Sequence, residues 1–153
     1  MTFVLMAAAA ALLAPGQPVM IVLNLEPDAA GKRPVAFDAP GFRAVIAQQL
    51  AQAGVVVGAG QGMARLVIRV TSYDPGNGIA AGQTARMTAR FQLLPASGAP
   101  QPEQEVACEG KAKFDLGSTP GARARRAHAR CVDALAVSLM EKLLGNAGPV
   151  MVR

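Results

Sequence analysis

The stretch that decides the fold lies between residues 84 and 93 and reads Thr84-Ala-Arg-Met-Thr-Ala-Arg-Phe-Gln-Leu93. Apolar residues occupy the odd positions and polar residues the even ones. Side chains of a β-strand point alternately to the two faces of its sheet, so this period of two is typical of a strand with one buried and one solvated face. The pattern predicts a sheet that carries its arginines on the outside.

Two neighbouring stretches alternate in the same way, one before and one after this segment. The apolar members are Leu66, Ile68 and Val70 in the first, and Val106, Cys108, Ala112 and Phe114 in the second; the polar members are Arg65, Arg69, Thr71, Glu105, Glu109, Lys111 and Lys113. A turn-rich segment from Pro95 to Pro102 separates the central stretch from the last one. Together they predict three half-buried antiparallel strands.

Three further elements complete the predicted fold. Val19 to Leu25 is a continuous apolar run, which predicts a strand buried on both faces in the middle of the sheet. A helix is predicted between Asp38 and Gly54, and another between Ser118 or Thr119 and Gly145, because apolar residues recur there at spacings of three and four. The order β-α-β-β-β-α predicts an α+β two-layer sandwich, a mainly antiparallel sheet with both helices on one face.

The first residues have the character of an export signal. Phe3 to Leu13 is an apolar run of about the length of a signal-peptide core, too short to cross a bilayer as a helix. We therefore expect a signal peptide over residues 1–16, one α+β domain over 17–146 and a short tail over 147–153. The alternative is a buried N-terminal helix rich in alanine.

Cys108 and Cys131 are the two cysteines of the chain. Cys108 falls on the inward side of its strand, and Cys131 lies in the helix predicted to cover that side, so a disulfide between them is predicted. One alternative is two unconnected thiols in the core. Another is a Cys₂His metal site with His128, three residues before Cys131, in a metal-dependent enzyme.

Other chemistry has little support in the sequence. No Gly-x-Ser-x-Gly motif presents a nucleophilic serine, and the Gly58 to Gly62 loop is followed by a strand instead of the helix that a dinucleotide site needs. Outward positions of the predicted strands lack the aromatic residues on which nucleic acid bases stack. We expect no enzyme activity, no cofactor, no resident metal and no nucleic acid partner.

Basic residues are the one patterned surface feature, in a chain of formal net charge +5. Arg65, Arg69, Arg86 and Arg90 share the outward sheet face, while Arg123, Arg126 and Arg130 follow one side of the last helix. These seven arginines are the candidate site for an anionic partner, either an envelope protein or an anionic lipid or glycan met peripherally at a membrane. The alternative is a solvated surface without a partner.

Leu66 to Gly98 resembles bacterial exported proteins and lipoproteins of unknown function. In these proteins a strand runs into Tyr-Asp-Pro-Gly-Asn, here Tyr73 to Asn77, and a second strand ends in a Ser-Gly turn, here Ser97 and Gly98. The resemblance implies a cell-envelope protein without a known enzyme activity. This chain lacks the cysteine that lipidation behind the leader would need.

We therefore expect a periplasmic or secreted protein that acts as a binding or assembly accessory of the bacterial cell envelope. Its contacts would come through the arginine-bearing sheet face, the Asp74 to Gly82 loop or an exposed strand edge. The alternative functions are the Cys₂His enzyme and a structural subunit of a larger membrane-associated complex.

Overall fold

The computed structural model describes residues 18–26, 37–76, 83–113, 116–117 and 119–144. The elements, in chain order, are β1 (Val19–Leu25), α1 (Ala39–Gln52), β2 (Ala64–Asp74), β3 (Gln83–Leu94), β4 (Gln104–Ala112) and α2 (Pro120–Leu144). The predicted α+β sandwich and its β-α-β-β-β-α order are confirmed. The predicted leader (1–16), the tail (147–153), Phe114, Ser118 and most of the Asp74 to Gly82 loop lie outside the described residues.

The strands form one sheet in the order β1-β2-β3-β4. The pairs β2–β3 and β3–β4 are antiparallel, as predicted, and β1 runs parallel to β2. The prediction that Val19 to Leu25 lies centrally, buried on both faces, is wrong. β1 is an edge strand in which Val19 and Ile21 are buried while Asn24 is exposed. Its apolar outward residues, Met20 and Val22, are only half-buried.

The inward faces of β2 and β3 alternate as predicted, with one irregularity. A β-bulge lies between Val70 and Ser72, where Val70 pairs with Ala89 but Ser72 pairs with Thr88. The extra residue, Thr71, donates its hydroxyl hydrogen to Thr88 O at 3.1 Å. An extra residue in a strand moves the side chains that follow it to the opposite face of the sheet from the one that strict alternation would give. Tyr73 therefore enters the core, where it is 2% exposed.

Helix α1 begins where the sequence predicts. Asp38 Oδ1 accepts a hydrogen bond from the Gly41 amide at 3.0 Å, which satisfies one of the free amides of the first turn. Phe42, Ile46 and Leu50 form its buried stripe. Gly54 follows the end of the helix with φ of +86°.

Helix α2 covers the inner side of β3 and β4. Thr119 Oγ1 accepts from the Ala122 amide at 3.1 Å, and the predicted apolar stripe of Val132, Leu135, Leu139 and Leu143 is buried. The helix comes unusually close to β4 at Gly110. A Cβ atom there would overlap Ala127 O and the backbone nitrogen of Cys131. The missing side chain thus allows the backbone contact that brings Cys131 onto the strand.

Candidate functional site

The outer sheet face carries the four predicted strand arginines, but three of them are already paired with carboxylates. Arg69 and Arg90 lie directly opposite each other on β2 and β3. Glu103, just before β4, bridges them, with Oε2 at 3.0 Å from Arg69 Nη2 and Oε1 at 3.7 Å from Arg90 Nη1. Like charges directly opposite are unfavourable, so Glu103 neutralises a contact that would otherwise be repulsive.

Two further ion pairs of these arginines, and one between Lys111 and Glu109 at 3.9 Å, extend this network along the face. Arg69 Nε also lies 3.2 Å from Glu26 Oε2 at the end of β1. Arg86 Nε lies 2.9 Å from Glu109 Oε2, in agreement with their direct pairing across β3 and β4. Solvent-exposed pairs of this kind contribute about 0.2–1 kcal/mol each to the stability of the protein. Because the carboxylates neutralise these arginines, the face attracts an external anion less strongly.

Arg65 differs from its three neighbours. Within the described residues it has no ion pair, and it is exposed at the start of β2. It lines a depression of about 340 Å³, here called the Arg65 depression, together with Met20, Gly60, Gln61, Gly62, Met63, Pro95 and Ala96. An unpaired guanidinium beside a loop with two small glycines can receive an oxyanion without first breaking an ion pair.

The three helix arginines do not extend this surface, because α2 lies on the opposite side of the sheet. Arg123 is buried at 7% exposure, and Arg126 is half-buried. Arg130 Nη1 donates to the backbone oxygen of Lys111 at 2.6 Å, which ties the helix to β4. The seven predicted arginines therefore form two separate groups, and the structure does not bring them together into one site.

The predicted disulfide is present. Cys108 and Cys131 are joined with an S–S distance of 2.04 Å and a Cα–Cα distance of 5.1 Å. The Cys₂His alternative is therefore wrong for this structure, because a metal site needs thiolates and both sulfurs are bonded to each other. Within the part of the chain that the structure describes, no other cluster of histidine, cysteine or acidic residues could hold a metal ion.

His128 belongs instead to an aromatic cluster that the sequence analysis did not predict. Its ring lies 5.3 Å from that of Phe37 and 5.2 Å from that of Tyr73, both edge to face. Burial lowers the pKa of His128, and the Asp38 carboxylate opposes this shift. Burial, and secondarily Asp74, raises the pKa of Tyr73 to about 12. His128 Nδ1 and Tyr73 Oη are both buried, and neither has a hydrogen-bond partner among the residues that the structure describes.

Described residues of the helix layer line two depressions. One, of about 250 Å³, is lined by the ends of α1 and α2, including Gln49, Val137, Met140 and Leu144. The other, of about 140 Å³, lies beside His128 and is lined also by Asp38, Phe42 and Asp133. None of the seven predicted arginines lines either depression, and the second contains His128, the candidate ligand of the Cys₂His alternative.

Solved structures share this fold at low sequence identity. A Xanthomonas campestris protein of the DUF330 family superposes with a TM-score of 0.61 at 11% identity, covering 89% of this chain and 87% of its own. A putative lipoprotein from Caulobacter crescentus gives 0.54 at 17% identity, covering 81% and 87%. A minor lipoprotein from Acinetobacter baumannii gives 0.53 at 17% identity, covering 83% and 91%.

The sequence itself has no such neighbours, since no protein-family model matches it and no curated protein matches it at a significant level. What the superpositions show is therefore the fold, which this chain has in common with bacterial lipoproteins. Neither of the two described helices is long and apolar enough to cross a bilayer.

Proposed function

We propose that this protein is an exported, non-enzymatic accessory of the bacterial cell envelope that binds an anionic lipid head group in the Arg65 depression. One observation carries the choice of site. Of the four arginines on the outer sheet face, Arg69, Arg86 and Arg90 are paired with carboxylates, whereas Arg65 lies in a depression and has no ion pair with any described residue.

The disulfide supports the exported location. Bonds between cysteines persist in oxidising compartments such as the periplasm and are rare in the cytosol. The Cys108–Cys131 bond joins β4 to α2 and so belongs to the core of the fold. The predicted signal peptide over residues 1–16 agrees with this location, and the fold common to bacterial lipoproteins adds weight to it.

The lining of the depression supports a lipid head group among anionic ligands. The Arg65 guanidinium can donate two parallel hydrogen bonds to a phosphate. Gly60 and Gly62 present backbone without side chains, while Met20 and Met63 offer flexible apolar contacts. Polar atoms make up most of the exposed lining, which suits a charged head group, and the two methionines can contact the apolar part of the lipid next to it. A fully polar acidic glycan would leave these methionine contacts unused.

Vesicle binding tests the proposal. The full chain is mixed with vesicles of phosphatidylglycerol in phosphatidylcholine, and bound protein is measured by co-sedimentation against vesicles of phosphatidylcholine alone. Arg65→Gln is expected to weaken binding to the anionic vesicles by about tenfold, the loss of one charge-assisted contact of about 1.5 kcal/mol. Arg90→Gln, which removes the same charge from the same face, is the matched control.

Three results would contradict this function. They are no preference of the wild-type chain for anionic vesicles, equal losses in the two variants, and full competition by a soluble acidic polysaccharide at equal charge. Equal losses would mean that net charge alone attracts the protein to the membrane.

A structural role in a larger membrane-associated complex is the second candidate. The edge strand β4 favours it, because its outer edge pairs with no other described strand and such an edge can pair with another chain. Stoichiometric co-purification with a membrane complex would support this role, and recovery of the protein free of other chains would count against it.

A further inference from the structure

Of the two edges of the sheet, the outer edge of β4 is the less covered by described residues. β4 pairs with β3 on one side, and no other described strand pairs with it on the other. β1 forms the opposite edge, and that edge is partly covered. Val19 exchanges hydrogen bonds with Val56 O and the Gly58 amide, and Ile21 O accepts from Arg43.

Two contacts show which backbone groups of β4 face outward. Leu93 O accepts from the Gln101 amide, so the backbone groups of Leu93 face the β4 side of β3. Backbone groups alternate sides along a strand, and Phe91 pairs with Gln104. The even-numbered residues of β4 therefore bond to β3, and the odd-numbered ones face the free edge. The contact of Lys111 agrees with this assignment, because its backbone oxygen accepts a hydrogen bond from the Arg130 side chain instead of from β3.

The outward-facing residues are Glu105, Ala107, Glu109 and Lys111, and all four side chains are exposed on the outer sheet face. Their charges run from negative to positive along the strand. An antiparallel second copy presents the reverse order. Glu105 of one copy would then meet Lys111 of the other, twice, because the pairing is two-fold symmetric.

We propose that two copies of this chain associate through antiparallel pairing of their β4 strands, centred on Cys108. In this register Ala107 faces Glu109 of the second copy, and all four outward residues exchange backbone hydrogen bonds. Glu103 and Lys113, just outside the strand, form a further opposite-charge pair across the two copies. The result is a continuous eight-stranded sheet, twice the four strands of one copy.

Charge selects this register over its neighbours. A shift that centres the pairing on Ala107 places Glu105 opposite Glu109 in both symmetric positions. A shift that centres it on Glu109 places the two Glu109 side chains opposite each other. Like charges directly opposite destabilise strand pairing, whereas the register centred on Cys108 contains none.

Charged residues on an edge strand often serve the opposite purpose, which is to prevent association. Here the self-complementary order distinguishes the two roles. Glu109 is already paired with Arg86 at 2.9 Å, and Lys111 Nζ lies at the longer distance of 3.9 Å from Glu109 Oε1, a contact that leaves the Lys111 side chain 72% exposed. Because Glu109 keeps its shorter contact with Arg86, the Lys111 ammonium can turn from Glu109 to Glu105 of a second copy. The Lys111 carbonyl oxygen has two lone pairs, and the one that Arg130 does not use can accept a hydrogen bond from that copy.

Charge reversal on the full chain tests the pairing by sedimentation equilibrium. The wild type is expected to form a concentration-dependent dimer. Glu105→Lys and Lys111→Glu are each expected to weaken it by about 30-fold, because two attractive pairs become repulsive. An equimolar mixture of the two variants should regain the wild-type affinity, since each copy then complements the other. Lys142→Glu, an exposed reversal at the end of α2, is the control.

Amide exchange locates the interface independently. At dimer-forming concentrations the amide hydrogens of Glu105, Ala107, Glu109 and Lys111 should exchange several-fold more slowly than at dilution, and circular dichroism confirms that each variant is folded. A wild type that stays monomeric overturns the proposal. So does a dimer that Lys142→Glu weakens equally, a mixture that remains monomeric, or unchanged exchange at these four amides.

Discussion

Removal of the Cys108–Cys131 disulfide is expected to cost about 3 kcal/mol of unfolding free energy. The bond closes a loop across a sequence separation of 23 residues. In the chain-entropy model, a loop of this length restricts the unfolded chain by about 11 cal/mol/K, which is about 3 kcal/mol at room temperature. For a domain of this size the melting temperature should fall by about 10 °C.

Urea unfolding of the Cys108→Ala/Cys131→Ala variant measures this loss, with the reduced wild type as its control. Both should unfold at similar, lower urea concentrations than the oxidised wild type. The dependence of the unfolding free energy on urea should also steepen, because the unfolded chain exposes more surface without the cross-link. A reduced wild type that unfolds at the same urea concentration as the oxidised protein would refute the reasoning.

Three further changes test the packing, the surface network and the pH dependence. Gly110→Ala should cost about 3 kcal/mol by pushing α2 away from β4, whereas Gly60→Ala, where a Cβ meets only ordinary contacts, should be nearly neutral in urea unfolding. Glu103→Gln should cost about 1 kcal/mol at low salt and less in 1 M NaCl, and Glu141→Gln on α2, which breaks no ion pair among the described residues, should cost little at either. Burial lowers the pKa of His128 in the folded protein, so as the pH falls below about 6.5 this histidine is protonated in the unfolded chain before it is protonated in the folded one. Proton binding then stabilises the unfolded chain, and the unfolding free energy should decrease below this pH. His128→Phe should remove that part of the pH dependence, and an unchanged slope would contradict the assignment.

The strands with one buried face were predictable because their pattern has a single interpretation. An alternation such as that of residues 84–93 can bury its apolar side chains only as a two-faced strand. The inward position of Cys108 followed from the same alternation, and the apolar stripe of the last helix placed Cys131 over it. Local sequence was therefore enough to predict the disulfide.

The position of β1 could not be predicted in the same way. A continuous apolar run is typical of a strand buried on both faces, but it also fits an edge strand whose outward residues are half-covered. Met20 and Val22 are of this kind. The parallel pairing of β1 with β2 depends on the connection through α1, which no local pattern specifies.

The candidate site required the register between strands. Sequence analysis placed Arg69, Arg86 and Arg90 on one face but could not show which carboxylates reach them. Glu26 and Glu103 lie outside the alternating stretches, and the pairing of Glu109 with Arg86 depends on the register of β3 against β4. The bulge at Thr71, which turns Tyr73 into the core beside His128, has no sequence signal of its own. Arg65 therefore stood out only once the ion pairs were known.

Thiol trapping in intact cells tests most directly whether the protein is an exported domain closed by its disulfide. Bacteria that express the full chain are treated with a membrane-permeant alkylating agent, fractionated, and analysed by non-reducing mass spectrometry. The protein is expected in the envelope or periplasmic fraction with Cys108 and Cys131 joined and unalkylated. Recovery from the cytosol with both cysteines alkylated would contradict the account.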